Sequence, residues 1–115
     1  MPNDYDNGLV AKIQYTMDTA TSGTIGMEVS IMAVTDGDSA DVGTASFDTA
    51  NDVTGGTTVP GTAGYLDEIS ISFTNDDSVA AGDFVYIHLE RDVDDDDTAA
   101  GDAEIVNFQL EWNRT

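Results

Sequence analysis

The sequence predicts an all-β fold, an antiparallel β-sandwich, in a single domain covering residues 1–115. Three observations predict it. Apolar residues alternate with a period of two rather than 3.6, the signature of half-buried strands. Clusters of Gly, Asp, Asn, Ser and Pro punctuate the alternating runs. No segment carries an apolar stripe at helical spacing.

The strands follow in order. In Leu9–Met17 the apolar set is Leu9, Ala11, Ile13, Tyr15 and Met17, with Lys12, Gln14 and Thr16 on the opposite phase. Met27, Val29, Ile31 and Ala33 alternate with Glu28 and Ser30 across Met27–Val34. Ile69, Ile71 and Phe73 alternate with Glu68, Ser70 and Ser72 in Leu66–Thr74. Val85, Ile87 and Leu89 alternate with Tyr86 and His88 in Phe84–Glu90, and Phe84 and Tyr86 make that strand apolar on both faces. Val106, Phe108, Leu110 and Trp112 alternate with Asn107, Gln109 and Glu111 in Ile105–Asn113. Weaker strand signals lie near Thr44–Val53 and Thr57–Val59. Turn chemistry separates the runs at Thr21-Ser22-Gly23, Thr35-Asp36-Gly37-Asp38, Gly55-Gly56, Pro60-Gly61, Asn75-Asp76-Asp77 and Ala81-Gly82-Asp83. Strands joined by long loops suit two packed antiparallel sheets.

Charge sets the conditions under which such a fold can form. Only Lys12, Arg91 and Arg114 are basic, against 23 acidic residues, for a net charge of -20. A surface of this kind repels itself and destabilises the compact state at ordinary ionic strength. At about 1 M salt the screening length falls to roughly 3 Å and the penalty fades. The scarcity of lysine therefore reads as adaptation to brine. With 40% hydrophobic residues the chain can still bury a core, which argues against intrinsic disorder. Cysteine is absent, so disulfides and thiolate metal sites are excluded. No run approaches the roughly 20 apolar residues of a helical membrane span, and no membrane insertion is expected. Met1-Pro2-Asn3-Asp4 offers neither the basic region nor the apolar stretch of a signal peptide. Nucleic acid is an unsuitable partner, because phosphates need basic contacts.

Several short elements point further. The chain opens Met1-Pro2-Asn3-Asp4-Tyr5-Asp6-Asn7-Gly8 directly before its first strand, and Thr62-Ala63-Gly64 introduces a middle strand. Ala80-Ala81-Gly82-Asp83-Phe84-Val85-Tyr86-Ile87 begins a strand closed by Glu90-Arg91-Asp92, and Thr98-Ala99-Ala100-Gly101-Asp102-Ala103-Glu104 leads into the last one. In these elements the chain resembles a family of jelly-roll-like β-sandwich domains from structural proteins of tailed viruses. Where members usually carry Trp near the end of the first strand, this chain has Tyr15. The resemblance implies a jelly-roll-like sandwich, a place on the virion surface, self-association, contact with other virion proteins, and host-glycan recognition as a further role. It supplies no catalytic residues.

Candidate sites are few. The run Asp92-Val93-Asp94-Asp95-Asp96-Asp97 gathers carboxylates that could hold Ca²⁺ or Mg²⁺. It lacks the spaced ligands and distal Glu of a calcium loop, and a solvated loop of a salt-adapted protein is the simpler reading. Asp36-Gly37-Asp38, with Asp41 nearby, poses the same choice, with a hairpin turn as the simpler reading. Arg91, a scarce cation among acids, is expected to pair with a carboxylate such as Asp83, Asp102 or Glu90. His88 has no nucleophile placed to complete a triad and reads as a surface or interface residue. Tyr5, Tyr65, Tyr86 and Trp112 could form a sugar-stacking platform. Phe84 and Tyr86, with Trp112, are the candidate residues of a homo-oligomer interface. Asn113-Arg114-Thr115 fits a glycosylation sequon.

The expectation from sequence is thus a non-enzymatic structural protein on the surface of a tailed virus of a halophilic archaeal host, serving as capsid decoration, turret or fibre. The alternatives are a receptor-binding module that recognises host-surface glycan and an extracellular surface-layer domain of the host itself.

Overall fold

A computed structural model describes the whole chain, Met1–Thr115. It contains eight strands and no helix: β1 (Tyr5–Met17), β2 (Thr24–Ile25), β3 (Met27–Val34), β4 (Asn51–Asp52), β5 (Thr57–Thr58), β6 (Asp67–Ser72), β7 (Phe84–Arg91) and β8 (Ala103–Arg114). The five long strands are those the alternation marked. Two-residue β2, β4 and β5 are too short to show a period. They are held by pairing with neighbours rather than by propensity.

Two three-stranded sheets, ordered β6-β1-β8 and β4-β3-β7, face each other, and β2 and β5 form a two-stranded ribbon. Every pairing is antiparallel. The central strands β1 and β3 supply most of the core. Leu9, Ala11, Ile13, Tyr15 and Met17 point inward from β1, and Met27, Val29 and Ile31 meet them from β3. Ile69, Ile71 and Phe73 from β6 and its continuation join the same cluster. Tyr15 is fully buried, and its hydroxyl donates to Asp67 at 2.8 Å. Burial and the bond to that carboxylate push the Tyr15 phenol far above its usual range.

The two flanks of the sandwich differ. On one, β4 lies against β6 and Asn51 ties the sheets together. Its Nδ2 donates to the carbonyls of Val29 (3.3 Å) and Asn75 (3.0 Å). Its Oδ1 accepts the N–H of Asn75 (2.8 Å) and the hydroxyl of Thr74 (3.3 Å). The other flank ends in β7 and β8, edge strands of their sheets as β4 and β6 are. Their inward residues Val85, Ile87 and Leu89, and Phe108, Leu110 and Trp112, are only half-buried. The molecule measures 48 × 29 × 21 Å, and its radius of gyration of 15.6 Å exceeds the roughly 13 Å usual for this length.

The outer face of the β4-β3-β7 sheet carries a second, smaller cluster. Met32 is buried there rather than in the main core. Residues 35–50 cross this face and set Phe47 against the rings of Tyr86 and His88, at centroid distances of 6.5 and 5.8 Å.

Candidate functional site

The Asp92–Asp97 loop, which follows β7, does not act as one carboxylate cage. Its backbone is laid against two glycines. A side chain at Gly26, between β2 and β3, would collide with the carbonyl oxygens of Asp95 and Asp92. A side chain at Gly56, before β5, would strike the carbonyl of Asp96. Glycine is required at both positions because another backbone crosses directly over them. Asp92 N–H donates to the Gly26 carbonyl at 2.8 Å, which closes the crossing.

Within this frame the aspartates take separate tasks. Asp97 is the partner of Arg91, in a two-pronged pair: Nε donates to Oδ2 at 2.8 Å and Nη2 to Oδ1 at 2.9 Å. Asp97 Oδ2 also accepts the Gly26 N–H at 3.0 Å. Arg91 goes on to donate to the carbonyls of Ala99 (2.7 Å) and Gly101 (2.6 Å). These four hydrogen bonds bind the end of β7, the acidic loop and the approach to β8 into one staple. The side chains are 19% and 3% exposed, so the pair is shielded. The bond to Arg91 holds the Asp97 carboxyl below its ordinary range, and the same bond raises Arg91. The sequence expectation named Asp83, Asp102 or Glu90 for this role. Asp83 is instead buried and caps a turn, accepting from Ala80 N–H (2.8 Å) and the Thr35 hydroxyl (2.6 Å). Asp102 acts on Arg91 only through its charge.

Asp96 accepts the N–H of Gly55 at 3.2 Å, and exposed Asp94 donates its own N–H to Asp92 Oδ1 at 3.0 Å. Only Asp92 and Asp95 of the run converge, and their third member is Glu28 of β3. One oxygen from each lies within 4.8 Å of the others, a spacing that fits a divalent cation. Burial first, then the neighbouring Asp92, raises the Glu28 carboxyl, and the charge of Asp96 is the main cause that raises Asp95. Sequence reading missed Glu28 because it alternates as an ordinary polar-face residue. Only the loop crossing at Gly26 brings it to Asp92.

The remaining candidates disperse. Asp38 and Asp41 close local turns, accepting the N–H groups of Thr35 (2.9 Å) and Gly43 (2.8 Å). Tyr5 is buried and Tyr65 is exposed on a loop, so the four aromatics of the proposed platform do not meet. Phe84 and Tyr86, 48% and 51% exposed, pack edge to face at 5.2 Å on the outer side of β7. Trp112 is half-buried on the inner side of β8, so the three interface candidates occupy two different surfaces. His88 lies on the exposed outer face with Phe47. Asn113 Nδ2 donates to Asn7 Oδ1 at 2.8 Å. A cleft of about 330 Å³ opens beside Phe84, lined by Val34, Thr35, Asp36, Gly37, Asp38 and Gly82.

No family model, no curated protein and no solved structure gives a significant match to this chain.

Proposed function

We propose that this protein is a non-enzymatic structural component of a virion surface, a capsid decoration, turret or fibre of a tailed virus whose host lives in brine. The open β7–β8 flank carries the reading. A sandwich whose edge strands are both bare, with six inward apolar side chains half-covered, is suited to being completed by assembly. The jelly-roll relationship belongs to the same proposal. The first long strand β1 pairs with the last strand β8, and β3 pairs with the penultimate β7, a nested order that a doubled-over chain gives. The sequence elements that carried the resemblance also have a common structural purpose here. Gly82-Asp83 turns into β7, and Arg91 with Ala99 and Gly101 forms the staple. The acidic exterior keeps such a particle hydrated and dispersed where salt screens its charge.

The deciding experiment is fractionation of purified virions in molar salt, with antibody against the chain. The reading expects the protein on intact particles, accessible to label. Its recovery only with host envelopes would favour the surface-layer alternative.

A second reading, recognition of a host-surface glycan, has its own supporting observation. The exposed Phe84–Tyr86 ledge borders a cleft with hydroxyl and carboxylate groups from Thr35, Asp36 and Asp38. Stacking aromatics beside hydrogen-bonding groups suit a sugar ring. A glycan array in molar salt tests it: binding that Phe84→Ala and Tyr86→Ala abolish supports the reading, and no binding to any glycan removes it.

A further inference from the structure

We infer that the occupant of the bare β8 edge is a second copy of this chain, added antiparallel about a two-fold axis at Gln109. The inference refines the self-association part of the reading above and specifies the surface and the register. Strand β8 bonds to β1 along one side, and along the other no backbone group of the chain pairs with it. At 12 residues it is an unusually long bare edge. Edges of this length ordinarily carry Pro, Lys or a bulge to prevent pairing; β8 has neither Pro nor Lys, and its one extra residue against β1, Val106, leaves the stretch from Asn107 onward regular.

Charge decides what can lie there. Each copy carries -20, so only a stretch free of uncompensated acids can face another copy. The central run Ile105-Val106-Asn107-Phe108-Gln109-Leu110 is uncharged, with Glu104 before it and Arg114 near the end of the strand. Antiparallel pairing centred on Gln109 sets Phe108 opposite the copy's Leu110 and Asn107 opposite its Glu111. The bulge at Val106 shifts the far end by one residue, so Arg114 reaches the Ala103–Glu104 end of the neighbouring strand without standing directly across from Glu104, and this happens twice by symmetry. The Glu111 charge is partly offset by Lys12 at 3.2 Å, a cation it shares with Glu68.

The cations single out the same strand. Arg91 is consumed by Asp97 and two carbonyls, and Lys12 lies between Glu68 and Glu111. Arg114 is 75% exposed, and its carboxylate neighbour Asp4 is at 3.8 Å. It is the one cation with most of its donors free, and it stands at the end of the bare edge. Exposed Val106 and half-buried Phe108 and Leu110 supply apolar surface for the seam. The resulting sheet would run continuously from β6 of one copy to β6 of the other.

Three variants test the arrangement in molar salt. Sedimentation equilibrium of the unaltered chain should give twice 12.1 kDa. Val106→Asp alters a side chain 57% exposed in the monomer, so cooperative thermal unfolding should persist while dimer affinity falls by at least about tenfold. The chain has no cysteine, so a single introduced thiol reports register cleanly. Gln109→Cys should form a disulfide-linked dimer on oxidation. Asn107→Cys should not, because its two copies would lie about 14 Å apart along the strands, beyond the roughly 7 Å limit for bridging. A monomeric chain at all concentrations would overturn the inference, as would cross-linking of the Asn107→Cys variant but not of Gln109→Cys. A dimer broken by Tyr86→Asp and untouched by Val106→Asp would also overturn it, while leaving self-association through the other sheet face in place.

Discussion

The two flanks of this sandwich are built from the same kinds of strand and finished in opposite ways. On the β4–β6 flank Asn51 uses both ends of its amide to join the sheets, and Ile69 and Ile71 beside it are sealed. On the β7–β8 flank the inward residues Ile87 and Leu110 remain half-covered. Alternation thus decides which side of a strand faces inward. Position in the sheet decides how much of that side is covered. On the proposed reading, this open flank in a chain of -20 is where salt and a second copy would complete the molecule.

Salt removal gives the largest expected effect. As salt falls from molar to millimolar, the screened repulsion returns, and assemblies should dissociate before the monomer unfolds. Circular dichroism and sedimentation followed together would show the order. Full stability in low-salt buffer containing chelator would contradict both the brine reading and any need for cations at Glu28, Asp92 and Asp95.

Matched truncations sharpen the comparison of flanks. Ile71→Ala on the closed side should cost about 4 kcal/mol, and Leu110→Ala on the open side about 2 kcal/mol in the monomer. Equal costs by denaturant titration would mean that the open flank is packed as well as the closed one. Arg91→Ala, which strands Asp97 and frees two carbonyls, should cost about 3 kcal/mol. Arg91→Lys should recover only part of it, for want of the planar fork.

The smallest effect is the pH profile. Asp97 has its carboxyl held low in the folded protein, so it contributes stability above the ordinary value near 3.8, lost as pH falls through the lower folded value. Glu28 and Asp95 are raised, so their ionised forms cost stability near neutrality, and that cost is relieved as pH falls through their folded values. Melting temperature should therefore rise modestly from neutral pH toward the upper carboxylate range and then drop below it. In Arg91→Ala the acid-side drop should be shallower. A steady fall from neutrality onward would contradict the raised carboxyls of Glu28 and Asp95.

The fold was legible wherever side chains alternate. All five long strands stand where Leu9–Met17, Met27–Val34, Leu66–Thr74, Phe84–Glu90 and Ile105–Asn113 mark them, within a few residues at each end. Strand order was not legible, because a period of two says nothing about which edge meets which. The site was legible only in part. Scarcity made Arg91 conspicuous, but its partner Asp97 lay hidden among five similar aspartates. What selects Asp97 is a contact distant in sequence, the crossing of the loop over Gly26, which also recruits Glu28. Sequence reading groups Phe84 and Tyr86 with Trp112 as one interface, yet strand parity puts the pair outside one sheet and the tryptophan inside the other.

The contrast between flanks is tested most directly by hydrogen exchange in molar salt as protein concentration is raised. Amides of β8 from Val106 to Glu111 that face the free edge should become protected with concentration, while those of β6 stay unchanged. Exchange in β8 that is slow at the lowest concentration and independent of it would contradict an open flank completed by a second copy.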